Sequence, residues 1–195
     1  MMVVVIKYNA GNIYSVVHAL RREGIEPLVT DDKELITKAD KVIFPGVGEA
    51  STTMDYLRKS GLDATIKGLK QPVLGICLGM QLMCRHSEEG DADCLGIFDV
   101  DVKKFVPKER EKIPHMGWNQ IYSLKSGLMS GIEDNKFVYF VHSYYVPLCA
   151  GTIAQTDYID TFSASLNKDN FYATQFHPEK SGEIGSKILK NFLTL

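Results

Sequence analysis

Apolar residues fall along the chain first as short buried runs separated by helical stripes, and later as strands with little helix between them. Met2 to Ile6 is a continuous apolar run rich in β-branched residues, short enough for a strand covered on both faces, and Asn9-Ala10-Gly11-Asn12 breaks it. Ile13, Val16, Val17 and Leu20 then recur at helical spacing, with Asn12 placed to cap the helix and Gly24 where a C′ glycine belongs. Ile25 to Val29 reads as a second strand, at a sheet edge because of Pro27. A short helix capped near Asp31 and a third strand, Val42 to Phe44, lead into the loop Pro45-Gly46-Val47-Gly48. Another helix runs to Gly61, and Pro72 to Ile76 is a fourth buried strand that passes through Cys77 directly into a helix starting Leu78-Gly79-Met80-Gln81 and carrying Cys84. Strands alternating with helices imply a parallel sheet with right-handed crossovers.

Beyond about residue 94 the periodicity changes. Leu95 to Phe105, Asn119 to Leu124, Phe137 to Tyr145, Gly151 to Thr156 and Phe171 to Phe176 read as strands that add antiparallel to the same core, and Asn167-Lys168-Asp169-Asn170 reads as a hairpin turn after Ser163 to Leu166. The C-terminal stripe Ile184, Ile188, Leu189, Phe192 is helical. With no repeat and no linker, the expected fold is α/β: a single-domain open mixed sheet, largely parallel, flanked by helices, with antiparallel additions in the C-terminal half.

Composition narrows the chemistry rather than the fold. Of 195 residues 45% are apolar and 24% charged, which places the chain among globular proteins and away from disordered ones. The 22 basic and 24 acidic side chains nearly cancel and are dispersed, so no footprint for nucleic acid or a membrane surface exists. No window approaches the ~20 apolar residues of a membrane span, and no signal peptide is read at the start. Four cysteines without a CxxC pair weigh against zinc and against a disulfide framework, so a reducing cytoplasmic setting with no metal is expected.

Gly75-Ile76-Cys77-Leu78-Gly79 has the G-x-nucleophile-x-G form of a strand-to-helix elbow. Glycines on either side let the chain turn tightly enough to lift Cys77 above the sheet, where unpaired N–H groups at a helix start favour thiolate and the Leu78 amide faces an oxyanion formed at the sulfur. From this pentapeptide alone a buried structural cysteine in a glycine-rich turn is an equal reading. Phe176-His177-Pro178-Glu179 shifts the balance. A thiol nucleophile needs a base and an acid near neutral pH, imidazole serves as both, and a carboxylate two residues on can orient the ring. Amides of Pro45-Gly46-Val47-Gly48, at the end of another strand, could supply a second oxyanion donor, although an ordinary glycine turn is again an equal reading.

Gly75-Ile76-Cys77-Leu78-Gly79-Met80-Gln81 and Phe176-His177-Pro178-Glu179 resemble the triad class of glutamine amidotransferases. Within it the whole chain resembles the glutaminase subunits of imidazole glycerol phosphate synthase, through Tyr8 to Val16, Pro45 to Gly48, Pro114-His115-Met116-Gly117-Trp118-Asn119 and Tyr139-Phe140-Val141-His142-Ser143-Tyr144-Tyr145. That resemblance implies one class I domain over residues 1–195 with Cys77 as nucleophile, His177 as acid/base and Glu179 as its orienter. It implies an oxyanion hole from the amides of Leu78 and of Val47 or Gly48. Glutamine is then held by Gln81 and Glu89 with backbone at Gly48, Ser143 and Tyr144. It further implies no cofactor, and ammonia delivered to a (β/α)₈ cyclase subunit of histidine biosynthesis in a heterodimer, docked through Asn12, Trp118, Tyr139 and Lys180. Lys7 and Glu49-Ala50 depart from the family pattern, which has an acidic residue and an aromatic there.

Other residues carry blander expectations. Cys84 reads as core, Cys94 and Cys149 as unremarkable, and His18 and His86 as solvated helix residues. His115 and His142 fit either the docking surface or core packing. A glutaminase serving another synthase, such as one that aminates a sugar, a free-standing cysteine hydrolase and a catalytically silent binding subunit are the competing readings.

Overall fold

The computed structural model describes residues 1–8 and 13–195. The first half alternates as β1 (Val3–Ile6), α1 (Ile13–Arg22), β2 (Leu28–Thr30), α2 (Lys33–Lys38), β3 (Lys41–Gly46), α3 (Ala50–Ser60), α4 (Leu62–Gly68), β4 (Val73–Cys77) and α5 (Leu78–Leu82). The second half is mostly strand: β5 (His86–Ser87), β6 (Ala92–Asp93), β7 (Asp101–Lys104), β8 (His115–Ile121), β9 (Lys136–His142), β10 (Tyr144–Tyr145), β11 (Thr152–Tyr158), β12 (Asp160–Lys168) and β13 (Phe171–Thr174), closed by α6 (Gly182–Thr194).

A seven-stranded sheet of order β11-β12-β13-β4-β3-β1-β2 forms the centre. Pairs from β2 through β13 are parallel, and β12 and β11 continue the sheet antiparallel. Every residue of β1, β3 and β4 is buried. Strand alternation explains this, because Val4, Ile6, Val42 and Phe44 pack on one face with Ile36 of α2, Met54 and Leu57 of α3 and Ile66 of α4. Val3, Val5 and Ile43 pack on the other with Val16 and Leu20 of α1 and Ile188, Leu189 and Phe192 of α6. The mixed, largely parallel α/β architecture expected from the sequence is therefore present, with β2 at the edge.

Several local expectations are corrected. Gly61, at φ 71°, ends α3 and starts a separate helix, α4. Asp32 rather than Asp31 caps α2, its carboxylate accepting from the Glu34 and Leu35 amides. Of Leu95 to Phe105 only Asp101–Lys104 is strand. Leu95, Ile97 and Phe98 are buried as a loop whose amides bond the carbonyls of Leu82 and Met83, closing the end of α5. That helix stops at Leu82, so Cys84 lies beyond it, fully buried. Nor do all later strands join the main sheet: β8 and β9 pair as a separate ribbon, and β10-β7-β5-β6 form a small four-stranded sheet. His86 lies in β5, within 3.2 Å of both Asp91 and Asp93, and not on a helix. Asn12, expected as a helix cap and docking residue, lies outside the described residues. No described helix is long and apolar enough to cross a membrane.

Candidate active site

Cys77 ends β4 where the chain turns into α5. Its φ of 54° and ψ of −107° lie outside the wells ordinary for an L residue, a conformation that costs of order 1–3 kcal/mol and persists only where packing enforces it. A Cβ on Gly79 would sit 2.0 Å from the Phe44 carbonyl oxygen, and one on Gly75 would sit 2.9 Å from the Met83 sulfur. Only glycines allow β3, β4 and α5 to approach this closely. Gly79→Ala should accordingly destabilise by about 4 kcal/mol or more; a thermal midpoint unchanged from the parent chain would show that the elbow relaxes freely.

β13 lies beside β4, with Thr174 opposite Ile76, so His177 arrives next to the elbow from the far end of the chain. Its Nδ1 donates to Glu179 Oε1 at 2.7 Å, and both side chains are almost fully buried. Burial alone would push the imidazole pKa down, but Cys77 and the Glu179 carboxylate outweigh it and raise it to about 10. The other ring nitrogen, Nε2, has no closed hydrogen bond among the described residues, as is common for a catalytic pair before substrate tightens it. The backbone around the ring hangs on β9: the His177 amide donates to the Tyr139 carbonyl at 2.9 Å, and Ser181 Oγ joins the His177 carbonyl at 2.6 Å to the Tyr139 amide at 2.9 Å.

A cleft of about 300 Å³ opens on Cys77. Leu78 and Gln81 of α5 line it, with Val47 and Gly48 directly after β3, Glu89, Ser143 between β9 and β10, and Tyr144 at the start of β10. Every residue expected to contact glutamine or an oxyanion is thus on one wall. His177 and Glu179 are not. They sit behind Cys77, against Pro45, Val47 and Ile76. Glu89 accepts from the Ala50 amide at 3.0 Å, and burial raises its pKa, opposed by that bond and reinforced by Glu49. Glu49, one of the two departures, caps α3 through the Ser51 and Thr52 amides. Of the four cysteines, Cys77 alone lines this cleft; Cys84 is fully buried with its pKa well raised, and burial pushes Cys94 up to about 12.

The outer face of the β8–β9 ribbon is apolar and open. Trp118, 54% exposed, pairs across the strands with Tyr139, the rings 6.1 Å apart and edge-on, and Lys180 Nζ lies 5.9 Å over the Tyr139 ring. Met116 and Phe137 extend this face, an alternation legible in the sequence but not drawn from it. His115 and His142 lie on the opposite, buried side, hydrogen-bonded to each other at 3.1 Å, so core packing accounts for them.

A sequence model of the glutamine amidotransferase class-I family matches residues 4–195. The chain belongs to that family. Full-length relatives of this class-I glutamine amidotransferase include imidazole glycerol phosphate synthase subunit HisH of Bacteroides fragilis, 69% identical, and that of Bacteroides thetaiotaomicron, 66% identical, each with 100% of both chains covered. The chain falls in the HisH group. A crystal structure of a glutamine amidotransferase superposes with a TM-score of 0.75 at 19% identity, covering 98% of this chain and 97% of the other, a likeness of fold.

Two residues of this amidotransferase escaped the sequence reading. Tyr8, buried, donates its hydroxyl to the Pro45 carbonyl at the root of the glycine loop, and its phenol is pushed up by burial and by Cys77. Gln175, fully buried, reaches the Cys77 sulfur. A polar residue within the run Phe171 to Phe176, two positions before His177, was the available signal for Gln175.

Proposed function

We propose that the chain hydrolyses L-glutamine to glutamate and ammonia through a glutamyl thioester on Cys77, within a single class I domain spanning residues 1–195. The observation that carries this reading is Cys77 at a cleft walled by Gln81 and Glu89, with the His177–Glu179 pair directly behind it. His177 takes the Cys77 thiol proton, the sulfur attacks the side-chain amide carbon, and the carbonyl electrons move onto oxygen, held by the amides of Leu78 and of Val47 or Gly48. His177 gives its proton to the amide nitrogen as the C–N bond breaks and ammonia leaves. Water then adds to the thioester, His177 taking its proton, and the C–S bond breaks to free glutamate. Glu179 keeps the ring in one tautomer throughout.

Both amide protons of Gln81 are committed to protein acceptors, the Tyr144 carbonyl at 2.9 Å and Gln175 Oε1 at 3.0 Å. It therefore offers the cleft only its carbonyl oxygen, suited to an ammonium or amide N–H of glutamine. Glu89, with Gly48, Ser143 and Tyr144 backbone, completes the hold. The ammonia passes to a (β/α)₈ cyclase subunit that makes imidazole glycerol phosphate in histidine biosynthesis, in a cytoplasmic heterodimer. The names of the HisH relatives and the open face of Trp118 and Tyr139, beside Lys180, support that partner. Asn12 joins the docking residues on resemblance alone.

A glutamine analogue carrying an electrophile at the side-chain carbon should label Cys77 and spare Cys84, Cys94 and Cys149, as mapped by peptide mass spectrometry; label spread over all four would count against a glutamine site. Glu179→Gln should lower kcat by about 10², less than loss of the nucleophile, because orientation rather than proton transfer is lost. A wild-type kcat would remove Glu179 from the triad.

A further inference from the structure

We propose that Gln175 is a positioning residue for Cys77, its side-chain amide holding the sulfur through a donated hydrogen bond. The inference rests on Cys77 being the nucleophile. Gln175 Nε2 lies 3.7 Å from Cys77 Sγ, within hydrogen-bond reach of a sulfur. An amide could present either its N–H or its oxygen to the sulfur, and here a chain of contacts leaves only the first. Tyr144 offers a backbone carbonyl, which can only accept, so the Gln81 group 2.9 Å from it is the amide nitrogen. That same nitrogen lies 3.0 Å from Gln175 Oε1, which must accept, and Gln175 is left with its nitrogen toward Cys77. His142 locks the anchor further. Its Nδ1 donates to the Tyr144 carbonyl at 2.7 Å, and its Nε2 then accepts from His115 Nδ1 at 3.1 Å. Reversing Gln175 would set nitrogen against nitrogen at Gln81 and oxygen against sulfur at Cys77.

The bond also changes value as the chemistry begins. A protonated thiol faces the Val141 carbonyl at 3.8 Å and can donate to it. Once the proton has gone to His177, that carbonyl repels the sulfur, and the Gln175 N–H becomes a charge-assisted donor. Gln175 therefore favours the ionised sulfur and keeps it from being displaced by the loss of its own donated bond. His177, the other side chain that interacts with Sγ, takes the proton, and Gln175 is left to hold the sulfur by donation.

Alkylation of Cys77 by iodoacetamide across the neutral to alkaline range, followed on the Cys77 peptide by mass spectrometry in the full chain, tests this without substrate or partner. In Gln175→Met the rise in alkylation rate should move about one pH unit higher, roughly a tenfold slower reaction at a given pH on that limb. Gln175→Glu should move it further: the carboxylate keeps the contact with Gln81 but turns an acceptor toward the sulfur. A role in packing alone predicts the reverse order of harm, since Glu is the closer match in shape. Wild-type alkylation profiles in folded Gln175→Met or Gln175→Glu would overturn the proposal; should Gln175→Met fail to fold, Gln175→Glu decides. In the glutaminase assay the loss should fall on kcat and leave KM nearly unchanged. If alkylation shifts as expected while glutamine proves not to be a substrate, the proposed function fails and the placement of Gln175 stands.

Discussion

Cys77→Ala should reduce glutamine turnover to background, a loss of at least about 10⁴ in kcat, while the thermal midpoint stays near that of the parent chain. The expected stability follows from the site: alanine removes a single sulfur atom and leaves in place Gly75 and Gly79, on which the elbow geometry depends. Steady-state glutamate release, with a melting curve on the same sample, measures both effects. His177→Asn should be nearly as damaging, because it removes the ring whose hold on a proton Cys77 and Glu179 strengthen against its burial. Turnover retained by Cys77→Ala would show that another group attacks glutamine and would undo the proposed mechanism.

Turnover of glutamine by the isolated chain should rise by about 10² to 10³ when the cyclase subunit and its nucleotide substrate are added, the size expected for completing an oxyanion hole by one donor. Gly48 sits at φ 132°, a conformation glycine tolerates, directly after the strand whose last residue, Gly46, lies opposite Cys77. A loop with this freedom can turn its amide toward the sulfur or away from it at a cost of order 1–3 kcal/mol, which docking can supply. The proposed docking face has a short path to His177, since the Tyr139 backbone that carries the half-buried ring also holds the His177 amide and, through Ser181, its carbonyl. Three assays measure the effect: the chain alone, with the cyclase subunit, and with that subunit and its substrate. Full activity of the lone chain would remove the gate, and stimulation only by a sugar-aminating synthase would reassign the acceptor.

Most of the first half of the fold was legible because its buried strands are apolar runs and α1, α2 and α3 carry a cap or a C′ glycine, whereas α4, which has neither a side-chain cap nor a C′ glycine, was not read. The second half was less so. Apolar runs of the same appearance became strands of three different sheets or, at Leu95 to Val100, a buried loop. Periodicity reports which face a residue buries, and it does not report which sheet receives that face. At the site, Cys77, His177 and Glu179 stood out because their residue types and spacing are set by chemistry within a few positions. Gln175 and Tyr8 meet their partners across the sheet, far apart in the chain, so the local sequence offers only a polar residue in an apolar run for Gln175 and no signal of its contact for Tyr8. Whether His115 and His142 served docking or packing could be decided only by the side of the ribbon on which they fall.

The strand that leads into His177, the proposed base, is also the last of the described strands, and it lies inside the central sheet, between β4 and β12. During synthesis the elbow therefore leaves the ribosome long before its base does, and the gap beside β4 stays open until residues 171–174 emerge. Such a sheet closes late, through contacts far apart in sequence, which slows folding. A partly made chain presents a cysteine with neither a base nor a finished pocket. The proposed release of ammonia thus waits on the closure of the sheet.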